Sequence, residues 1–306
     1  LVLSDENVKN EVKILKNNKR YFDIAKLHIE SDNFEFKGLK YGKLVFKATN
    51  SLVKEDLDWV INKFALVNED LNLEFSGIWK NSESINRSDI DFKIDIKNAG
   101  SLLNRLGYEN IFRGGYGKTE GKLSWKGSPF NLDISSLNGN LSLNLSSGQF
   151  LKVEPGVAKL LGVLSLQSLP RRLTLDFTDI FSEGFQFDGV SSTALVSNGI
   201  LSTKNFKMSG ANAVVLMDGD INLSHETQDL NVIVIPELNA GGASVVYALA
   251  VNPVIGIGSF LAQLFLQNPL SQAFTQKYNI TGPWQDPIIK KIDSTNSNLL
   301  RSSEAE

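Results

Sequence analysis

Apolar and polar residues alternate with a period of two along most of the chain, which is the signature of half-buried β-strands. Asp91–Lys97 puts Phe92, Ile94 and Ile96 on one face and four charges on the other. The same alternation sets Phe130, Leu132 and Ile134 against Asn131 and Asp133, and Leu141, Leu143 and Leu145 against Asn140, Ser142 and Asn144. Leu173, Leu175 and Phe177 alternate with Thr174 and Asp176. Shorter examples are Phe34/Phe36, Leu44/Phe46, Leu71/Leu73/Phe75, Leu123/Trp125, Phe185/Phe187, Phe206/Met208 and Leu230/Val232/Val234. Turn signals separate them at Gly38, Asn138-Gly139, Ser147-Gly148, Asn198-Gly199 and Asp218-Gly219. The pattern predicts on the order of a dozen strands joined by short turns, a long antiparallel meander.

Three short helices are expected within it. Lys54–Leu66 aligns Leu57, Ile61 and Phe64 on one stripe, Ala99–Leu106 is stopped by Gly107, and Pro155–Leu166 opens on proline. Residues 238–276 carry no charge at all. They read as two apolar helices broken at Asn252-Pro253, either packed against the sheet or in contact with lipid. Val246, Leu249, Val254, Ile257, Phe260, Leu261, Leu264 and Phe265 are the residues expected to meet a membrane. The resulting organisation is a connection at 1–29, a β domain at 30–237, the apolar segment at 238–276, a closing strand at 277–292 and a disordered tail at 293–306. The chain opens on Leu1 with charges throughout residues 1–20 and no signal-peptide pattern, so it is expected to be a piece of a longer protein.

Composition narrows the chemistry. The 306 residues carry 31 basic and 34 acidic side chains, a net charge of -3, which argues against a nucleic-acid binder. The absence of cysteine excludes disulfides, thiolate metal sites and cysteine nucleophiles. Two histidines, His28 and His225, lie in unrelated contexts and make no metal site. Gly114–Thr119 lacks the spacing of a phosphate loop and precedes a strand, so it reads as a turn or flexible loop. Asp176, Asp179, Glu183 and Asp188 alternate with apolar residues and read as a solvated face rather than a catalytic pair, and Arg171-Arg172 as their ion-pair partners. Trp59, Trp79, Trp125 and Trp284 are scattered in sequence. No cofactor and no metal are expected.

Periodicity alone leaves a sandwich, a barrel and an open curled sheet as alternatives. A resemblance adds to it. The runs LNRLGYENIFRGGYGKTEGKLSWKGSP, FNLDISSLNGNLSLNLSSGQFLKVEPG, LLGVLSLQSLPRRLTLDFTDIFSEGFQFD, ETQDLNVIVIPEL and YNITGPWQDP follow one another between about Asn98 and Pro287. Together they resemble the C-terminal region of the YhdP-type AsmA-like envelope proteins of Gram-negative bacteria; residues 30–80 fit more loosely. The resemblance implies a periplasmic protein held in the inner membrane by an upstream N-terminal helix. It implies a long curled β-groove carrying phospholipid between inner and outer membranes, its C-terminal end toward the outer membrane, without catalytic residues. On that reading the groove is lined by Phe92, Ile94, Ile96, Leu123, Trp125, Phe130, Leu132, Ile134, Leu141, Leu143, Leu145, Leu173, Leu175, Phe177, Phe185 and Phe187. The alternative is an envelope assembly or scaffolding protein with a closed β core and a protein-binding helical segment.

Overall fold

The computed structural model describes residues 26–36, 38–53, 56–81, 85–107, 109–151, 185–210, 213–236, 257–267, 272 and 275–292. Within them, thirteen strands form one antiparallel sheet whose spatial order is the chain order. They are β1 (Lys26–Phe36), β2 (Leu39–Val53), β3 (Asp56–Val67), β4 (Leu71–Asn81), β5 (Asn86–Ile96), β6 (Phe112–Lys126) and β7 (Asn138–Phe150). After them come β8 (Phe185–Ser197), β9 (Ile200–Ser209), β10 (Ala213–Asn222), β11 (Thr227–Pro236), β12 (Gln276–Pro283) and β13 (Ile288–Lys291). The sheet is open, not closed into a barrel. Helix α1 (Ala99–Arg105) joins β5 to β6, and α2 (Ile257–Gln267) lies between β11 and β12.

Because every connection returns the chain antiparallel, the sheet has two long edges. Strands β2, β4, β6, β8, β10 and β12 end at what is here termed the even edge; odd-numbered strands end at the odd edge. Asn198-Gly199 forms a two-residue hairpin loop at the even edge with both φ values positive (48° and 76°), matching the twist of β8 and β9.

Four features depart from the sequence pattern. Residues 54–66, expected as a helix, belong largely to β3, paired with β2 on one side and β4 on the other. A bulge between Ile61 and Phe64 inserts an extra residue, so apolar residues spaced by three still share one strand face. Phe130, Leu132 and Ile134, expected on a strand, lie in the β6–β7 connection, which closes on a 3-10 turn at Ile134–Ser136. There Asp133 accepts hydrogen bonds from the Ser136 and Ser135 hydroxyls at 2.6 and 2.7 Å, a local alternative to ladder pairing. The same hydroxyls hold the Asp133 carboxyl below its usual range. Gly114–Thr119, expected as a loop, runs inside β6, and Asn138-Gly139, Ser147-Gly148 and Asp218-Gly219 also lie within strands. The expected helix at 155–166, the strand carrying Leu173, Leu175 and Phe177, and the tail at 293–306 lie outside the described residues.

A polar staple fixes the odd edge. Asp70, 2% exposed, accepts a bond from Arg105 Nε at 2.7 Å, while its backbone carbonyl receives the Lys97 and Asn98 amides. Arg105 also donates to Glu69 at 2.8 Å and to the Lys40 carbonyl at 3.1 Å. One guanidinium therefore ties α1 to the β1–β2 and β3–β4 turns. Removing it strands a buried carboxylate, so Arg105→Met should cost about 3–5 kcal/mol in urea unfolding. Glu69 is 80% exposed, and Glu69→Gln should cost less than about 1 kcal/mol. Equal costs for the two would overturn this account of the staple.

Candidate functional site

Residues directly opposite one another in a sheet share a face, so the register decides what each face is made of. One row runs through all thirteen strands without a charge. It begins Ile29, Phe46, Phe64, Phe75 and Phe92 across β1–β5 and continues through Gly121, Leu141 and Ala194 across β6–β8. It ends with Thr203, Gly219, Leu230, Ile280 and Ile289. Parallel rows on the same face are aliphatic: Leu44–Leu66–Leu73–Ile94 on one side, Ala48–Ile61–Gly77–Ile90–Leu123 on the other. Aromatic contacts bind the row at its start, with the Phe64 and Phe75 rings stacked at 4.3 Å and Phe46 edge-on to Phe64.

The opposite face of the same strands is charged. Lys63–Glu74 (3.5 Å), Lys122–Asp91 (2.9 Å) and Lys118–Asp95 (3.7 Å) pair across neighbouring strands. Each pair is well exposed and contributes little to stability, but together they keep this face in water. Glycines shape the sheet between the two faces. A Cβ on Gly117 (φ 158°) or Gly121 would collide with the Asn144 or Asn140 carbonyl of β7. Glycine within a strand marks a sharp bend or close backbone approach, and both of these lie on the apolar face of β6.

The apolar face changes character along the sheet. Over β1–β7 it is only partly covered: Ile29 is 44% exposed, and Phe92, Ile94, Ile96, Leu123, Leu141, Leu143 and Leu145 are all partly exposed. Two inserted elements lie against it. The Leu103 side chain of α1 packs near the odd edge, and the connection at 127–137 reaches back so that the Phe130 ring lies 5.8 Å from Phe46. Over β8–β12 the face is mostly buried, with Phe187 and Leu230 at 0% and Val215 and Val232 at 2%, while Phe206 and Ile221 are partly buried. Phe112, Phe150 and Phe187 form a triangle of rings 4.8–5.6 Å apart at its start.

The outer face of β10 and β11 is covered as well. Val214, Leu216 and Ile235 pack against Ile257, Phe260 and Leu264 of α2, with Leu261 and Phe265 partly buried beside them. These five residues of α2, expected to meet a membrane, therefore face the sheet, whereas Leu266 is 84% exposed. Val246, Leu249 and Val254 lie outside the described residues. Among the described residues no helix is long and apolar enough to cross a membrane. Lys207 is caught under α2, 1% exposed, its ammonium 5.8 Å from the Phe260 ring centroid. Burial pushes its pKa down from the ordinary lysine value.

The structure brings together ten expected lining residues: Phe92, Ile94, Ile96, Leu123, Trp125, Leu141, Leu143, Leu145 and, at the buried end, Phe187 beside Phe185. Phe130, Leu132 and Ile134 sit at the even edge, 66%, 50% and 40% exposed. Phe46, Phe64 and Phe75, which complete the row, were not in the expected set, although their alternation on β2 and β4 was a usable signal. Three of the tryptophans, scattered in sequence, fall into one row: Trp59 opposite Trp79, Trp79 opposite Ser88, and Ser88 opposite Trp125. No group of three metal-ligating side chains occurs among the described residues.

Comparison with known proteins agrees with this architecture. A family model described as YhdP protein matches residues 3–289. Over 221 residues the chain is 31% identical to the intermembrane phospholipid transporter YhdP of Escherichia coli (strain K12). That alignment covers 72% of the chain but 17% of the relative, so the chain spans about a sixth of that protein's length. No solved structure matches the chain.

The Lys207 environment gives a pH test of the α2 packing. An unfolded lysine keeps its proton to about pH 10.4, while folded Lys207 releases it earlier, so the unfolded chain binds more protons in that window. Stability should therefore rise as pH climbs toward 10, and Lys207→Met should abolish that part of the rise. Urea midpoints between neutral pH and pH about 10 check this, below the range where Tyr278, raised by burial, acts with opposite sign. An unchanged slope in the variant would mean that Lys207 is not buried under α2.

Proposed function

The chain belongs to the YhdP protein family, and on that premise we propose that it is a section of a non-enzymatic phospholipid conduit of the Gram-negative cell envelope. Acyl chains lie along the apolar face of β1–β7 while polar head groups stay in solvent. Lipid passes between inner and outer membranes, with the β13 end of the sheet toward the outer membrane. Phospholipid is the partner and no cofactor takes part.

The observation that carries this reading is the uncharged row that crosses all thirteen strands, partly exposed over the first seven. Its value is energetic. At about 0.8 kcal/mol per CH₂, exposing a chain of some 16 carbons to water costs roughly 12 kcal/mol. A continuous apolar surface removes most of that barrier by geometry, without a nucleophile or a metal. The deeper burial over β8–β12 favours the alternative for that portion: a closed core supporting a protein-binding end.

Native mass spectrometry of residues 1–306 purified without detergent, with lipid analysis of the same sample, separates the two. A conduit retains phospholipid, and Leu143→Asp, placed where the face is partly exposed, lowers the retained lipid several-fold while keeping the strand signal in circular dichroism. A closed scaffold gives a lipid-free mass that liposomes do not change. In it Leu143→Asp buries an unpaired charge and unfolds the chain, a loss on the order of 3 kcal/mol or more.

A further inference from the structure

All four tryptophans of the chain lie at one edge of the sheet. Trp59 sits three residues into β3, Trp79 two from the end of β4, Trp125 next to the end of β6, and Trp284 just beyond β12; each position is at the even edge. Trp59, Trp79 and Trp125 share a register row with Ser88, two residues from the Ile61–Gly77–Ile90–Leu123 row and on the same apolar face. Their ring bodies join that face, and two of them turn their N–H groups to polar partners, whereas Trp284 Nε1 beyond β12 is buried without one. Trp79 Nε1 donates to Asn86 Oδ1 and Trp125 Nε1 to the Ser128 carbonyl, both at 3.0 Å. Indole has an apolar body and one donor, and it gathers where an apolar phase meets a wet, polar one.

The two edges differ in chemistry. At the odd edge the apolar rows run aliphatic, Leu44–Leu66–Leu73, up to a boundary where the Glu69 and Asp70 carboxylates are paired with Arg105 and Lys97 Nζ donates to the Asn68 carbonyl. At the even edge three cations stand directly opposite one another on the charged face, one residue from the tryptophan row, Lys80 against Arg87 and Arg87 against Lys126. Like charges so placed destabilise a sheet. Asp58 opposite Lys80, Asp89 at 2.8 Å from Arg87 and Asp133 near Lys126 offset part of that repulsion. Arg87 and Lys126 line a cavity of about 450 Å³ with Trp125 and Asn86.

We propose that the even edge is a head-group rail: lipids on the apolar face lie across it with glycerol esters and phosphate at the tryptophan edge and chain ends toward the odd edge. This rests on the conduit reading above and adds an orientation to it. The ligand class is a diacyl glycerophospholipid, recognised through its phosphate at the rim of the sheet, where Arg87 and Lys126 of the charged face share a cavity with Trp125, and through its interfacial region by the indoles.

With every tryptophan on one edge, intrinsic fluorescence reports that edge alone. The chain is loaded from vesicles of phosphatidylcholine carrying a nitroxide on one acyl chain, either close to the ester or near the methyl end, and separated from the vesicles before measurement. Bound lipid is quantified in each sample. The rail predicts that the ester-proximal label quenches at least about twofold more per bound lipid, because nitroxide quenching needs near contact with the interfacial indoles. Equal quenching, stronger quenching by the methyl-end label, or bound lipid without quenching each overturns the orientation while leaving the conduit in place. No lipid on the separated chain removes the conduit reading and the rail with it.

Discussion

The structure depends on phase. Side chains alternate between faces every residue, so a slip of one residue in any strand would move its apolar set onto the charged face. Thirteen strands must keep the same phase, and they are not equally regular. Register shifts occur in β1, between Lys47 and Ala48, between Ile61 and Phe64, between Ser191 and Ala194 and between Met217 and Gly219. In β3 the bulge keeps Trp59 and Ile61 on the face of Phe64 and Leu66. Without it Phe64 and Leu66 would join Glu74 and Lys93. The bulges therefore correct the phase of the strands in which they occur.

From that constraint the two halves of the sheet follow. Strands β10 and β11 are buried on both faces, by the shared core and by α2, and their sequences accordingly lose alternation: Ala213–Met217 is apolar at every position and completely buried. This half resembles the interior of an ordinary two-layer domain. Strands β1–β7 have one wet face and one partly covered face, and depend on local devices: the Arg105–Asp70 staple at one edge and the 127–137 connection at the other. The buried half anchors the sheet, and the partly exposed half presents a surface.

Much of this was legible in the sequence, because alternation and two-sided burial leave direct marks. Asp91–Lys97 and Leu141–Leu145 read as one-sided strands, and Leu230/Val232/Val234 as another, whereas the unbroken apolar run Ala213–Met217 was a usable mark of two-sided burial that alternation alone passes over. The misreadings share a cause. Leu57, Ile61 and Phe64 are spaced as on a helix, but a bulge produces the same spacing in a strand. Phe130–Ile134 alternates as a strand does, but the Asp133 carboxylate satisfies its neighbours locally. Glycines that resembled turns sit where β6, β7 and β10 pass too close to their neighbours for a Cβ. Each ambiguity concerns backbone geometry, which composition reports weakly. The tryptophans were invisible for another reason: residues 20 to 160 apart fall on one edge only after the hairpins have been counted.

A half-covered apolar face also has an energetic meaning. Sheets usually bury such a face under a second layer of protein. Here two short helices are present among the described residues, and one of them, α2, lies on the other face. Over β1–β7 the second layer is thus supplied only in part by the described residues. A ligand of acyl chains would complete it, contributing about 0.8 kcal/mol for each CH₂ withdrawn from water. Ligand and sheet would then stabilise one another, since whatever binds the folded state alone raises its stability by mass action. Strict site selectivity would be a poor fit to such a surface. The rows repeat from strand to strand at about 4.8 Å with similar apolar character, so neighbouring positions along them offer a chain nearly equal free energy. Near-equality of neighbouring positions is what permits movement along a surface, whereas one deep pocket would hold its ligand in place. Over β1–β7, meander topology, constant phase and absence of charge in the central row thus converge on one physical property: an apolar surface of nearly uniform character from strand to strand.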